Sequence, residues 1–138
     1  MRNIELKARL KDITKAAEAA RRIAGPLPCE ELQQTDTYFN TENGRLKLRE
    51  IKSWYQKYEL IFYSRPDVHG PKRCDYSITP VIHAESLKKL LNAALGTKVI
   101  VEKRRTVFLF RNVRIHLDRV KGLGDFLEFE AVMKEGSP

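Results

Sequence analysis

Arg45, Lys47 and Arg49 alternate with Leu46 and Leu48 directly after Gly44. Read as a strand, a period of two puts the three cations on one face and the leucines on the other. Cations two residues apart on one strand stand only about 7 Å apart and repel one another, which is costly unless an anion sits between them. Alone, the stretch reads most simply as a solvated face over a leucine core. Other stretches repeat the pattern with their signs sorted. Arg65 and Lys103/Arg105 are basic, and Arg114, His116 and Asp118 share a face. Asn3, Glu5 and Lys7 alternate near the start, and Glu128 and Glu130 near the end. Paired carboxylates need a cation as paired cations need an anion. One barrel carrying both would suit a polyanion bound together with a divalent metal, for which carboxylates and water favour Mg2+ or Mn2+. A solvated face and a nucleic-acid surface stay open as rival readings. A nucleic-acid surface would interleave its cations with stacking aromatics. Here they alternate with Leu and Ile, and Trp54, Tyr55 and Tyr58 follow the basic stretch as hairpin or rim packing would.

The elements that must position these residues follow from periodicity. Residues 3–10 alternate as a strand, with Ile4, Leu6, Ala8 and Leu10 against Asn3, Glu5, Lys7 and Arg9. Ile13, Ala16, Ala17, Ala20, Ile23 and Ala24 have helical spacing, with Asp12 as N-cap and Gly25-Pro26 as terminator. Strands are expected over 35–40, 45–50, 58–65 and 73–79, and Asn43-Gly44 marks a hairpin. A second helix is expected over 87–95, stopped by Gly96. The last three strands fall at 98–110, with a break near Arg104-Arg105, at 113–120 and at 126–133. This is an α+β chain, a mainly antiparallel sheet of roughly eight strands curling towards a β-barrel, with two or more flanking helices.

Composition narrows the partners. The 138 residues suit a single domain, and a net charge of +8 favours anionic partners without choosing among them. No apolar run reaches the roughly 20 residues of a membrane helix. The N-terminus alternates like a strand rather than a signal peptide, so a cytoplasmic location is expected. Cys29 and Cys74 are isolated and read as reduced thiols. His69, His83 and His116 are scattered and form no zinc pattern.

Ile4-Glu5-Leu6-Lys7 resembles the ExExK signature of the CYTH domain, the triphosphate tunnel metalloenzymes. That family includes class IV adenylyl cyclases, thiamine triphosphatases and inorganic triphosphatases. The resemblance continues, in order, through residues 34–39, 44–50, 59–67, 70–72, 101–105 and 114–120 to Leu127-Glu128-Phe129-Glu130. It implies an antiparallel barrel whose hydrophilic tunnel binds a triphosphate such as tripolyphosphate, ATP or thiamine triphosphate. It implies Lys7, Arg45, Lys47, Arg49, Arg65, Lys103 and Arg105 as phosphate ligands. Glu5, Asp118, Glu128 and Glu130 become metal ligands, and Glu5 and Lys7 the catalytic pair. The expected activity is metal-dependent hydrolysis of the terminal phosphate. The alternatives are cyclic AMP formation from ATP and non-catalytic polyphosphate binding.

Two departures from the family pattern bear on that expectation. The first glutamate of ExExK is Asn3, whose amide oxygen can still ligate Mg2+ or hold a water but attracts the ion less. Comparable members also continue past the Glu128–Glu130 strand with a helix and a final strand. This sequence, a single CYTH-like domain over residues 1–138, would lack them. A shorter natural form, a truncated form, or completion by a partner chain in a homodimer would each account for that.

Overall fold

The computed structural model describes residues 2–28, 30–64 and 70–133, so Cys29, Arg65 and His69 lie outside the described residues. β1 (Arg2–Leu10), α1 (Ile13–Ala24), β2 (Glu30–Phe39), β3 (Arg45–Lys52), β4 (Gln56–Ser64) and β5 (Lys72–Pro80) follow in order. Then come α2 (Ala84–Leu95), β6 (Thr97–Phe110), β7 (Val113–Val120) and β8 (Gly124–Met133). The strands close into an antiparallel barrel in the order β1-β5-β4-β3-β2-β6-β7-β8, with β1 pairing both β5 and β8. The α+β barrel with two flanking helices is therefore the observed architecture.

Several elements differ from the expectation, three of them most. β6 runs unbroken through Arg104-Arg105, because its backbone is paired there with both β2 and β7. β2 begins at Glu30 rather than Thr35, since pairing with β6 extends it through a polar segment that shows little apolar alternation. α2 begins at Ala84, a turn earlier than its leucine spacing announces.

The barrel is inverted relative to an oil-filled core. On β1, Asn3 is 4% exposed whereas Ile4 and Leu6 are 39% and 38% exposed, so the polar stripe points inward. The apolar outer face is buried where helices cover it. α1 lays Ala20 with Ile13, Ala16, Ala17 and Ala24 over Phe108, Ile115, Leu117 and Leu127. Asp12 caps this helix, accepting from the Thr14 and Lys15 amides at 3.0 and 3.3 Å. α2 lays Ala84, Leu87 and Leu91 over Phe39, Leu46, Leu48 and Tyr58. Leu46 and Leu48 are thus part of the outer core beneath α2, and Lys47 and Arg49 beside them turn into the tunnel towards Asp36. Gly44 makes the preceding turn possible. Its φ is +61°, and a Cβ there would come within 2.7 Å of the Tyr63 carbonyl and 2.8 Å of the Phe62 ring. No described helix is long and apolar enough to cross a membrane.

Candidate functional site: a charge-sorted tunnel

Register decides which side chains share the tunnel. Arg49 stands opposite Asp36 and Glu59, and Lys47 opposite Tyr38 and Ile61. Lys103 stands opposite Gln34 and Val120, and Arg105 opposite Asp118. On the other side of the barrel Glu5 pairs with Glu130, and Lys7 with Glu128, which also faces His116. Strand order places β1 and β8 diametrically opposite β2 and β3, so an acidic wall looks across the tunnel at a basic one.

The basic wall is held by two buried carboxylates. Arg49 donates to Asp36 through Nε at 3.0 Å and Nη2 at 2.9 Å, and Lys47 Nζ lies 3.2 Å from the same carboxylate. Arg105 forks Asp118 at 2.8 and 2.9 Å, with Lys103 Nζ 3.7 Å away. Burial pushes the Asp36 and Asp118 carboxyls up, yet the neighbouring cations overrule it, holding Asp36 well below the ordinary carboxylate range and lowering Asp118. Burial and the Arg49 charge bring the Lys47 ammonium down to about 7 against the pull of Asp36. Burial and Arg105 bring Lys103 down to about 8. Lys47 also lies 5.0 Å from the Tyr63 ring centroid and 5.4 Å from that of Tyr38. Lys47, Arg49, Lys103 and Arg105 outnumber the carboxylates Asp36 and Asp118 that hold this wall, leaving it with surplus positive charge.

The acidic wall gathers Glu5, Glu128 and Glu130, whose carboxylates offer one oxygen each within 4.8 Å of the others. His116 Nδ1 lies 2.9 Å from Glu128 Oε1, and Arg105 Nη2 lies 4.0 Å from the same oxygen. Burial pushes the Glu128 carboxyl up, but the His116 hydrogen bond and the Arg105 charge hold it well below its usual range. Asn3 Nδ2 donates to Glu130 at 3.0 Å and to Glu5 at 3.3 Å.

The structure thus brings together Lys47, Arg49, Lys103 and Arg105 on one wall and Glu5, Glu128 and Glu130 on the other, with Lys7 beside Glu128. Asp118 lies with Arg105 and Lys103, not with the three glutamates. Arg45 is exposed, and Arg65 falls outside the described residues. Sequence reading left Asp36 unassigned, although its alternation with Gln34 and Tyr38 already placed it on an inward face. His116 was noted for the face it shares with Asp118, but the structure pairs it with Glu128 across strands, and only register supplies that contact.

The inside of the closed antiparallel barrel thus carries one basic and one acidic wall. The chain belongs to the CYTH domain family, which it matches over residues 1–136. Similar solved structures include a protein from Pyrococcus horikoshii OT3, with a TM-score of 0.80 and 23% identity over 96% of this chain and 80% of that chain. A conserved hypothetical protein from Pyrococcus furiosus has a TM-score of 0.79 and 20% identity, with the same coverage of 96% and 80%. A candidate adenylate cyclase from Vibrio parahaemolyticus has a TM-score of 0.72 and 23% identity over 97% of this chain and 78% of that chain. At these identities the likeness bears on the fold. No curated protein matches the chain by sequence.

Proposed function

We propose that this chain binds an inorganic or organic triphosphate in the tunnel and hydrolyses its terminal phosphate with the help of Mg2+ or Mn2+. The observation that carries the reading is the opposition of a basic wall with surplus charge to three clustered carboxylates inside one barrel. The donor set fits a hard divalent cation: three carboxylates and an amide whose Oδ1 is buried without a partner. Glu5, Glu128 and Glu130 would hold the ion, and Asn3 stands beside them. Once bound, it would supply charge neutralisation to the phosphate oxygens.

The chain's own residues do the rest. Lys7, Lys47, Arg49, Lys103 and Arg105 bind and orient the phosphates, with Arg45 and Arg65 as further phosphate ligands. Asp36 and Asp118 fix the arginine forks before the anion arrives, which lowers the entropic cost of ordering them. Asp118 in this role positions phosphate ligands. Glu5 holds the attacking water and takes its proton, and Lys7 steadies the charge that develops beside it. Phosphoryl transfer needs mainly this positioning and charge stabilisation, with no nucleophilic side chain.

Cyclisation of ATP is the second reading, favoured by the likeness to the Vibrio candidate cyclase. Against it, the tunnel aromatics Tyr38 and Tyr63 pack around Lys47 rather than opening a slot for a base. Phosphate release and cyclic AMP formation are to be followed with tripolyphosphate, thiamine triphosphate and ATP, each with Mg2+ and Mn2+. Phosphate release from at least one of them is expected. Cyclic AMP with pyrophosphate from ATP would establish the cyclase instead, and tight binding without turnover would leave a polyphosphate-binding module.

A further inference from the structure

Asn3 is 4% exposed and aimed into the carboxylate cluster. Its Nδ2 is shared between Glu130 Oε2 at 3.0 Å and Glu5 Oε1 at 3.3 Å, while its Oδ1 is buried with no hydrogen-bond partner. Glu5 and Glu130 are direct cross-strand neighbours, a placement that sets two like charges against each other. An amide NH2 donating to both offsets part of that repulsion, at the cost of orphaning the carbonyl oxygen. A half-turn of the amide about its Cβ–Cγ bond would exchange the two atoms. Oδ1 would then face two carboxylates, an arrangement that is repulsive unless a cation lies between them.

Amide orientation and cation occupancy are therefore coupled. We propose that Asn3 is an amide latch on the cation site: Nδ2 inward ties Glu5 to Glu130, and Oδ1 inward adds a neutral oxygen ligand to a bound divalent ion. The latch rests on the cation reading given above. It does what a glutamate at the same position could not, because a fourth carboxylate would attract the ion more strongly but could not donate a bridge between Glu5 and Glu130. A latched site binds its ion less tightly and exists stably without it.

Mn2+ binding is measured by electron paramagnetic resonance, and the Asn3 side-chain amide is followed by 15N NMR during Mg2+ titration. Neither readout needs turnover. Asn3→Leu, which removes both amide atoms, is expected to weaken Mn2+ binding about tenfold and to lower the melting temperature without added metal. Asn3→Glu is expected to bind Mn2+ at least tenfold more tightly while melting lower than the native protein when no metal is added. In the native protein the Asn3 amide resonances shift as Mg2+ fills the site, a readout that holds even if a variant folds poorly. Unmoved resonances at saturating Mg2+, or an Asn3→Leu protein that binds Mn2+ as the native one does, would overturn the latch. If Glu130→Gln still loses Mn2+ in that case, the cation site stands without the latch. If Glu5→Gln and Glu130→Gln both retain native Mn2+ affinity, the cation site and the latch fall together.

Discussion

Asp36 meets Lys47 and Arg49 at 3.2 and 2.9 Å, whereas Glu5, Glu128 and Glu130 meet one another within 4.8 Å. Both groups line the same tunnel from opposite sides. On the basic wall each buried carboxylate carries at least two cations, so it is structural as well as preparatory. On the acidic wall carboxylates are clustered beyond what folding needs, with an amide and an imidazole in attendance. Removing a charge should therefore do opposite things on the two walls. Asp36→Asn leaves Lys47 and Arg49 buried without their shared partner, and stability measured by urea unfolding is expected to fall by about 3–5 kcal/mol. Tripolyphosphate should restore part of the loss by binding the folded state. Glu130→Gln removes a like charge and keeps an acceptor for Asn3, so stability should move by less than about 1 kcal/mol. A change below about 1 kcal/mol for Asp36→Asn would break the comparison at its root.

Protonation separates the buried ammonium groups from the buried carboxyls. Lys47 comes down to about 7 and Lys103 to about 8 from an ordinary 10.5. Between those values and 10.5 the unfolded chain binds protons that the native protein does not. Their burial penalty is thus fully present below about 7, and stability from this source rises with pH through that window. Asp36, Asp118 and Glu128 are held below their ordinary values, so their contribution is present above about 4 and lost as pH falls further. A bound polyanion restores the ammonium protons. Binding of tripolyphosphate at pH 8 is expected to take up protons, measured by calorimetry in buffers of different ionisation enthalpy. Affinity corrected for ligand ionisation should fall at least tenfold from pH 7 to pH 9. Lys47→Arg should flatten most of that dependence, and an unchanged profile would take Lys47 out of the titration.

Legibility followed the same division. Alternation on the first, third and last strands announced an inward polar stripe, because period two survives whatever the strand pairs with. α1 was readable at both ends from its alanine spacing, Asp12 and Gly25. The start of β2 was not, because Leu32 is the single apolar residue of 30–34 and the segment owes its strand to pairing with β6. Within the site, residue type gave signs but not partners. Asp118 and Glu128 look alike in sequence, yet register sets one against Arg105 and the other against His116. Nothing in a linear reading distinguishes a carboxylate that holds an arginine from one that gathers with other carboxylates.

Within the basic stretch itself, burial grades three cations that sequence treats as equal. Lys47 is 8% exposed and shares Asp36 with Arg49, while Arg45 is exposed one step nearer the turn at Gly44. A charge in water is screened and its side chain is free to move, so its attraction for an anion is worth less than that of a buried, preorganised neighbour. Arg45→Ala is therefore expected to weaken tripolyphosphate binding only about threefold at 0.15 M salt, with most of that loss gone at 0.5 M. Arg49→Ala should cost at least thirtyfold at either salt concentration, since it removes a buried fork and leaves Asp36 with Lys47 alone. Equal losses for the two variants in a calorimetric titration would mean that Arg45 swings into the tunnel once the anion is bound. The basic wall would then extend to the turn itself.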